Sequence, residues 1–274
     1  MKEGSSYIKC KYEKSELWCE NKGQKIYGVL YKPESQGKMP LVIFAHELCK
    51  SHRSGSGYGK ALASRGVAVY TFDFCGGGIY SRSYGETTEM SVMTEAEDLK
   101  AVVDAAKNWD FVDPDKIVVI GGSQGGMAAA AMASEYPEDL AGLILLYPGF
   151  VIPELVQNEF KHKDQVPDTF SFLGWISVGR NYATDVWDYK PFEEMKKYEK
   201  PVLLLHGDRD EIVEVSCSQR AAETYPNGNL KVISGAGHKF HEKSLDKALM
   251  HINEYLEDIG INTSGNNEEL ENIV

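Results

Sequence analysis

Three side chains that together could break an acyl bond stand in the chain in the order Ser123, Asp210, His238. Ser123 is the centre of Gly121-Gly122-Ser123-Gln124-Gly125-Gly126, which fits G-x-S-x-G. A serine hydroxyl is a weak nucleophile and must be thrust out to where a base and a substrate both reach it. A sharp strand-to-helix turn does this but crowds the neighbouring backbone. Gly121 and Gly125 lack the Cβ atoms that would clash there. The run Ile117–Ile120 before the turn is β-branched without a polar interruption, as suits a parallel strand buried on both faces. Met127–Ala133 after it has high helix propensity. The start of that helix offers N–H groups and a positive dipole end to a developing oxyanion. The alternatives are a plain Gly-rich connection or a phosphate cradle. The cradle reading lacks both G-x-x-x-x-G-K-[ST] and a basic residue near the turn.

A nucleophilic serine needs a base, and the base needs an orienting acid. His206-Gly-Asp-Arg-Asp210 follows the run Val202–Leu205. Asp210 lies farther out, where its carboxylate can turn towards a histidine, whereas Asp208 suits a turn cap. Ser234-Gly-Ala-Gly-His238 follows the strand ending at Ile233 and puts His238 in a small-residue loop. His241 competes with it but falls in the first turn of the closing helix. His206 reads as a packed strand-end residue, His162 and His251 as surface residues, and His52 has no assigned role. The oxyanion needs two N–H donors. One is Gln124, directly after the nucleophile, and the other is Leu48, in the loop His46-Glu-Leu-Cys-Lys-Ser-His52.

The elements that must hold these residues alternate. Tyr7–Tyr31 reads as short antiparallel strands around a turn at Asn21-Lys22-Gly23, with Ile26–Tyr31 the clearest strand. Strands follow at 41–45, 67–72, 117–120, 142–147, 202–206 and 230–233. Helices are expected at 58–65, 91–109, 127–133, 215–225 and 240–256. This alternation predicts an α/β fold, a mostly parallel sheet of about eight strands with helices on both faces and ligands bound at the carboxyl ends of the strands. Residues 1–152 and 193–261 form the expected core. Residues 153–192 break the alternation and read as a small, aromatic-rich lid insertion, with a hairpin over 169–178. Most of its aromatics should fill the lid's own core. Phe172 and Trp175 are the candidates for lining a substrate pocket. Residues 262–274 read as a frayed polar tail.

The chain has 274 residues and a formal net charge of -12, which disfavours a polyanionic partner such as nucleic acid. It has no apolar run long enough for a membrane span and no signal-peptide pattern. Its five cysteines lack C-x-x-C spacing. They fit reduced thiols in a cytoplasm rather than a disulfide framework or zinc. Cys49 and Cys75 read as bystander thiols without an elbow around them.

The loop at His46–Leu48, the elbow at Ser123, H-G-x-x-D at His206–Asp210 and G-x-G-H at Gly235–His238 together resemble the α/β-hydrolase superfamily. Within it, the chain is similar to the bacterial cinnamoyl/feruloyl esterases and related small carboxylesterases, whose insertion resembles V-P-D-T-F-S-F-L-G here. The resemblance implies an α/β-hydrolase fold and hydrolysis of small esters of hydroxycinnamic or other aryl acids. It implies no cofactor and, often in these enzymes, a homodimer; no metal site is expected either. One residue departs from it: the family usually has His-Gly in the hole loop, and Glu47 occupies the glycine position. Glu47 is therefore expected either to bear on substrate or to turn away and pair with Lys50 or Arg53. A peptidase or acyltransferase with the same triad, and a non-catalytic small-ligand receptor on the same fold, are the competing functions.

Overall fold

The structure is a computed structural model that describes residues 10–263. The start of the expected first strand (7–9) and residues 264–274 of the expected tail lie outside the described residues. The chain opens with the hairpin β1 (Tyr12–Asn21) and β2 (Gln24–Pro33). Asn21 pairs with Gln24 across Lys22 and Gly23, both at positive φ, 50° and 85°. Two successive left-handed residues match the twist of a tight hairpin. Next come β3 (Met39–Ala45), α1 (Ser56–Ala63), β4 (Ala68–Phe72) and α2 (Val92–Lys107). Ser91 and Thr94 close a capping box at the start of α2, satisfying N–H groups the helix leaves unpaired. The elbow joins β5 (Val112–Gly122) to α3 (Gln124–Glu135), and β6 (Gly142–Leu146) follows.

Between β6 and β9 lie α4 (Ile152–Glu159), the hairpin β7 (Thr169–Phe172) and β8 (Ile176–Gly179), α5 (Arg180–Thr184) and α6 (Pro191–Glu194). The chain continues through β9 (Val202–Gly207), α7 (Val215–Thr224), β10 (Gly228–Ile233) and α8 (Glu242–Asp258). Eight strands form one sheet in the order β1-β2-β4-β3-β5-β6-β9-β10. β2 runs antiparallel to both its neighbours, β1 and β4, and every other adjacent pair, from β4 through β3, β5, β6 and β9 to β10, is parallel. The expected α/β sheet of about eight strands is therefore present.

The inner strands β3 and β6, and β5 from Ile117 onward, are buried almost throughout, which is why these stretches run apolar without alternation. The two sides of the sheet carry two apolar clusters. Phe172, Ile176, Val178, Tyr182 and Val186, all from the segment between β6 and β9, belong to the same cluster as Leu41, Val119 and Leu143. The insertion thus packs into the main core, a correction to the expectation that its aromatics fill a core of their own. No helix among the described residues is long and apolar enough to cross a membrane.

Candidate active site

The parallel register sets β3 beside β5 up to the pair Ala45 and Gly121, and β5 beside β6 up to Gly122 and Leu146. The loop after β3 therefore starts alongside the elbow. Ser123 has φ 50° and ψ -118°, a conformation that a non-glycine residue holds only where its surroundings enforce it. A Cβ on Gly121 would come within 2.5 Å of the Gly125 oxygen, and one on Gly125 within 2.3 Å of the His46 oxygen. Glycine at those positions lets strand, helix and hole loop meet backbone to backbone.

Ser123 Oγ lies 2.9 Å from His238 Nε2, and His238 Nδ1 lies 2.8 Å from Asp210 Oδ2. Asp210 is held from several sides. Its Oδ1 accepts the N–H groups of Ile212 at 2.9 Å and Val213 at 3.0 Å. Its Oδ2 is also 3.0 Å from His206 Nε2. Burial disfavours the charge on Asp210, but the Val213 N–H, His238 and the Ile212 N–H outweigh it, and the pKa falls below the usual carboxylate range.

His206 does more than fill the strand end. Its Nε2 faces two acceptors, Asp210 and the Val213 carbonyl at 2.9 Å. The proton therefore sits on Nε2, and Nδ1 accepts from Ser218 Oγ at 2.7 Å. Burial lowers the pKa of His206 and keeps the ring neutral. The i, i+4 spacing of His206 and Asp210 in H-G-x-x-D was the available signal for this contact. Asp208 Oδ1 accepts the Gly235 N–H at 2.6 Å and so ties the loop after β9 to the loop after β10. His241 is the N-cap of α8, and His52 pairs with Asp73 at 2.8 Å.

Gln124 opens α3. Its side-chain Oε1 accepts Tyr182 Oη–H at 2.6 Å, which fixes it to α5. Leu48 lies in the turn after β3, half-buried against the larger core cluster. His46 Nε2 accepts the Phe74 N–H at 3.1 Å, so its Nδ1 donates to the Glu47 carbonyl at 2.8 Å and pins this turn.

Glu47 turns inward but does not pair with Lys50 or Arg53. Its Oε1 accepts Tyr147 Oη–H at 3.1 Å and lies 3.9 Å from Lys239 Nζ. Tyr147 packs its ring 4.9 Å from that of His238. Burial opposes the charge on Glu47, but Lys239, backbone N–H and the nearby Ser54 hydroxyl lower its pKa overall. Neither Lys239 nor Tyr147 was legible as a Glu47 partner in the sequence, being distant along the chain and brought close only by the sheet. Phe172 is buried, with its ring 4.6 Å from Tyr182. It therefore stands one residue removed from Gln124. Trp175, at the turn between β7 and β8, is 61% exposed.

Residues 56–258 match the prolyl oligopeptidase family. Quorum-quenching protein AidA of Acinetobacter baumannii is 23% identical over 252 residues, covering 76% of this chain and 82% of that protein. Protein bem46 of Schizosaccharomyces pombe is 25% identical over 209 residues, covering 74% of this chain and 62% of its own length. Among solved structures, Est1E from Butyrivibrio proteoclasticus with ferulic acid bound superposes with a TM-score of 0.80 and 27% identity, over 88% of this chain and 98% of that one.

Proposed function

The chain belongs to the prolyl oligopeptidase family within the α/β-hydrolase superfamily, and from that premise we propose that it is a serine carboxylesterase acting on small esters, hydroxycinnamoyl or other aryl esters among them. The observation that carries the proposal is the hydrogen-bonded line from Ser123 Oγ through His238 to Asp210, at 2.9 and 2.8 Å. In this reading Ser123 Oγ attacks the ester carbonyl carbon while His238 Nε2 takes its proton. Asp210 keeps the imidazole proton on Nδ1 and stabilises the imidazolium that forms. The N–H groups of Gln124 and Leu48 receive the oxyanion. His238 then gives its proton to the departing alcohol. Water, deprotonated by the same imidazole, releases the acid from the acyl-enzyme.

The ester reading is supported by Est1E, whose structure holds ferulic acid. Phe172 and Trp175 are proposed to line the acyl side, and Glu47 to act on substrate through Lys239. The family match equally favours a peptidase, so amides are the natural comparison. Methyl ferulate, 4-nitrophenyl butyrate and a matched 4-nitroanilide should separate the two: the esters turn over and the anilide does not. Faster cleavage of the anilide would replace the esterase with a peptidase. A cytoplasmic site of action fits the five free cysteines. The homodimer belongs to the same proposal, and light scattering of the purified protein reads it directly.

A further inference from the structure

Beside the candidate site, a hollow of about 300 Å³ is lined by Cys49, Lys50, Arg53, Ser54, Tyr80 and Lys239, together with Ser51. It carries three cations and no acidic residue on its wall, in a chain with a formal net charge of -12. Many other lysines are neutralised by carboxylates: Lys22 by Glu97, Lys107 by Asp139, Lys163 by Asp188 and Lys197 by Glu194. Among the described residues no salt bridge engages Lys50 or Arg53. Glu47 could have neutralised them from the same loop. It is instead turned inward to Tyr147, with Lys239 as its salt-bridge partner at 3.9 Å. The Cys49 thiol adds no negative charge: burial, with Glu95 nearby, pushes its pKa up to about 11 against the opposing pull of Lys50.

The position of the hollow matters as much as its charge. One wall is the loop after β3, which starts beside the elbow where Ala45 pairs with Gly121. Another is Lys239, the residue directly after His238. A recess lined by one sign of charge concentrates its field on ligands of the opposite sign. The Arg53 guanidinium presents a fork suited to a carboxylate or phosphate, and the Ser51 hydroxyl, which lines the same hollow, can donate alongside it.

We propose that this hollow binds an anionic group, a carboxylate or phosphate carried by either half of the substrate, so that the enzyme prefers charged esters to neutral ones. As a statement about substrate, this rests on the esterase reading above; as a statement about an anion site, it does not.

The test has two parts. Calorimetry with benzoate and with inorganic phosphate is run on Ser123→Ala protein and on the same protein carrying Lys50→Gln and Arg53→Gln. At least one of the two anions should bind saturably, about tenfold more weakly in the triple variant, with the difference shrinking as salt is raised. Each single Gln substitution should give an intermediate loss, which guards against a folding defect in the combined variant. No saturable binding of either anion, or equal binding in both proteins, overturns the proposal.

In the second part, mono-4-nitrophenyl glutarate against 4-nitrophenyl butyrate places the charge on the acyl half. 4-Acetoxybenzoate against phenyl acetate places it on the alcohol half. One charged ester should have the lower KM of its pair, and the charged-to-neutral ratio of kcat/KM should fall about tenfold in Lys50→Gln/Arg53→Gln. No advantage in either pair, or one that survives both substitutions, overturns the substrate preference. If no ester is cleaved while anion binding still depends on Lys50 and Arg53, the esterase reading falls and the anion site stands.

Discussion

Asp210 serves two histidines with one oxygen. Oδ2 faces both His238 and His206, while Oδ1 is committed to the Ile212 and Val213 N–H groups. Asp210→Asn can keep the turn bonds through Oδ1, but its amide NH₂ would face His238 and favour the wrong tautomer. Turnover should fall by about 10⁴ with little change in KM; an undiminished kcat would remove Asp210 from the chemistry. The same carboxylate has a stability signature. Its folded pKa is depressed, so its contribution is complete above the unfolded value, about 3.9, and is lost as pH falls through the lower folded value. Thermal melts taken from about pH 5 downward should therefore show a steeper acid loss in wild type than in Asp210→Asn. Ser123, Asp210 and His238 were legible because strand-end loops display them in order. The inward turn of Glu47 was not, because its partners Tyr147 and Lys239 reach it from other strands' loops.

At the scale of elements, α5 and α2 hold the back of the site. Tyr182 on α5 donates to Gln124, 58 residues earlier in the chain. A contact of this kind leaves no periodic trace in sequence. The aromatic content of the insertion was visible, but not that its rings would join the main core. Tyr182→Phe leaves Gln124 Oε1 buried without its donor and should cost about 1–3 kcal/mol in denaturant unfolding. An unchanged midpoint would mean that another donor replaces it. On α2, Glu95 is fully buried and neither carboxyl oxygen has a hydrogen-bond partner among the described residues. Burial, reinforced by Asp98 and opposed by Gln124, raises its pKa well above the usual carboxylate range. A raised pKa makes its contribution greatest below the unfolded value, about 4.3, and erodes it as pH rises. Glu95→Gln should therefore match wild type near pH 4 and gain in melting temperature relative to it towards pH 8. A gap that does not widen with pH would contradict the neutral-acid assignment.

For the whole molecule, the eight-stranded sheet gathers loops from β3, β5, β9 and β10 at one edge. Residues far apart in sequence thereby become one hydrogen-bonded line. Strand alternation made that gathering readable, since uninterrupted runs such as Ile117–Ile120 mark strands buried on both faces. The exact limits of the outer hairpin were less readable, because an edge strand facing solvent carries a mixed pattern. The central claim is that the Ser123 hydroxyl is the nucleophile of this assembly. Its most direct measurement is turnover of 4-nitrophenyl butyrate by wild type and by Ser123→Ala. The account predicts a loss of roughly 10⁶ in kcat for the variant, with its fold intact by circular dichroism. Comparable rates from the two proteins would contradict it.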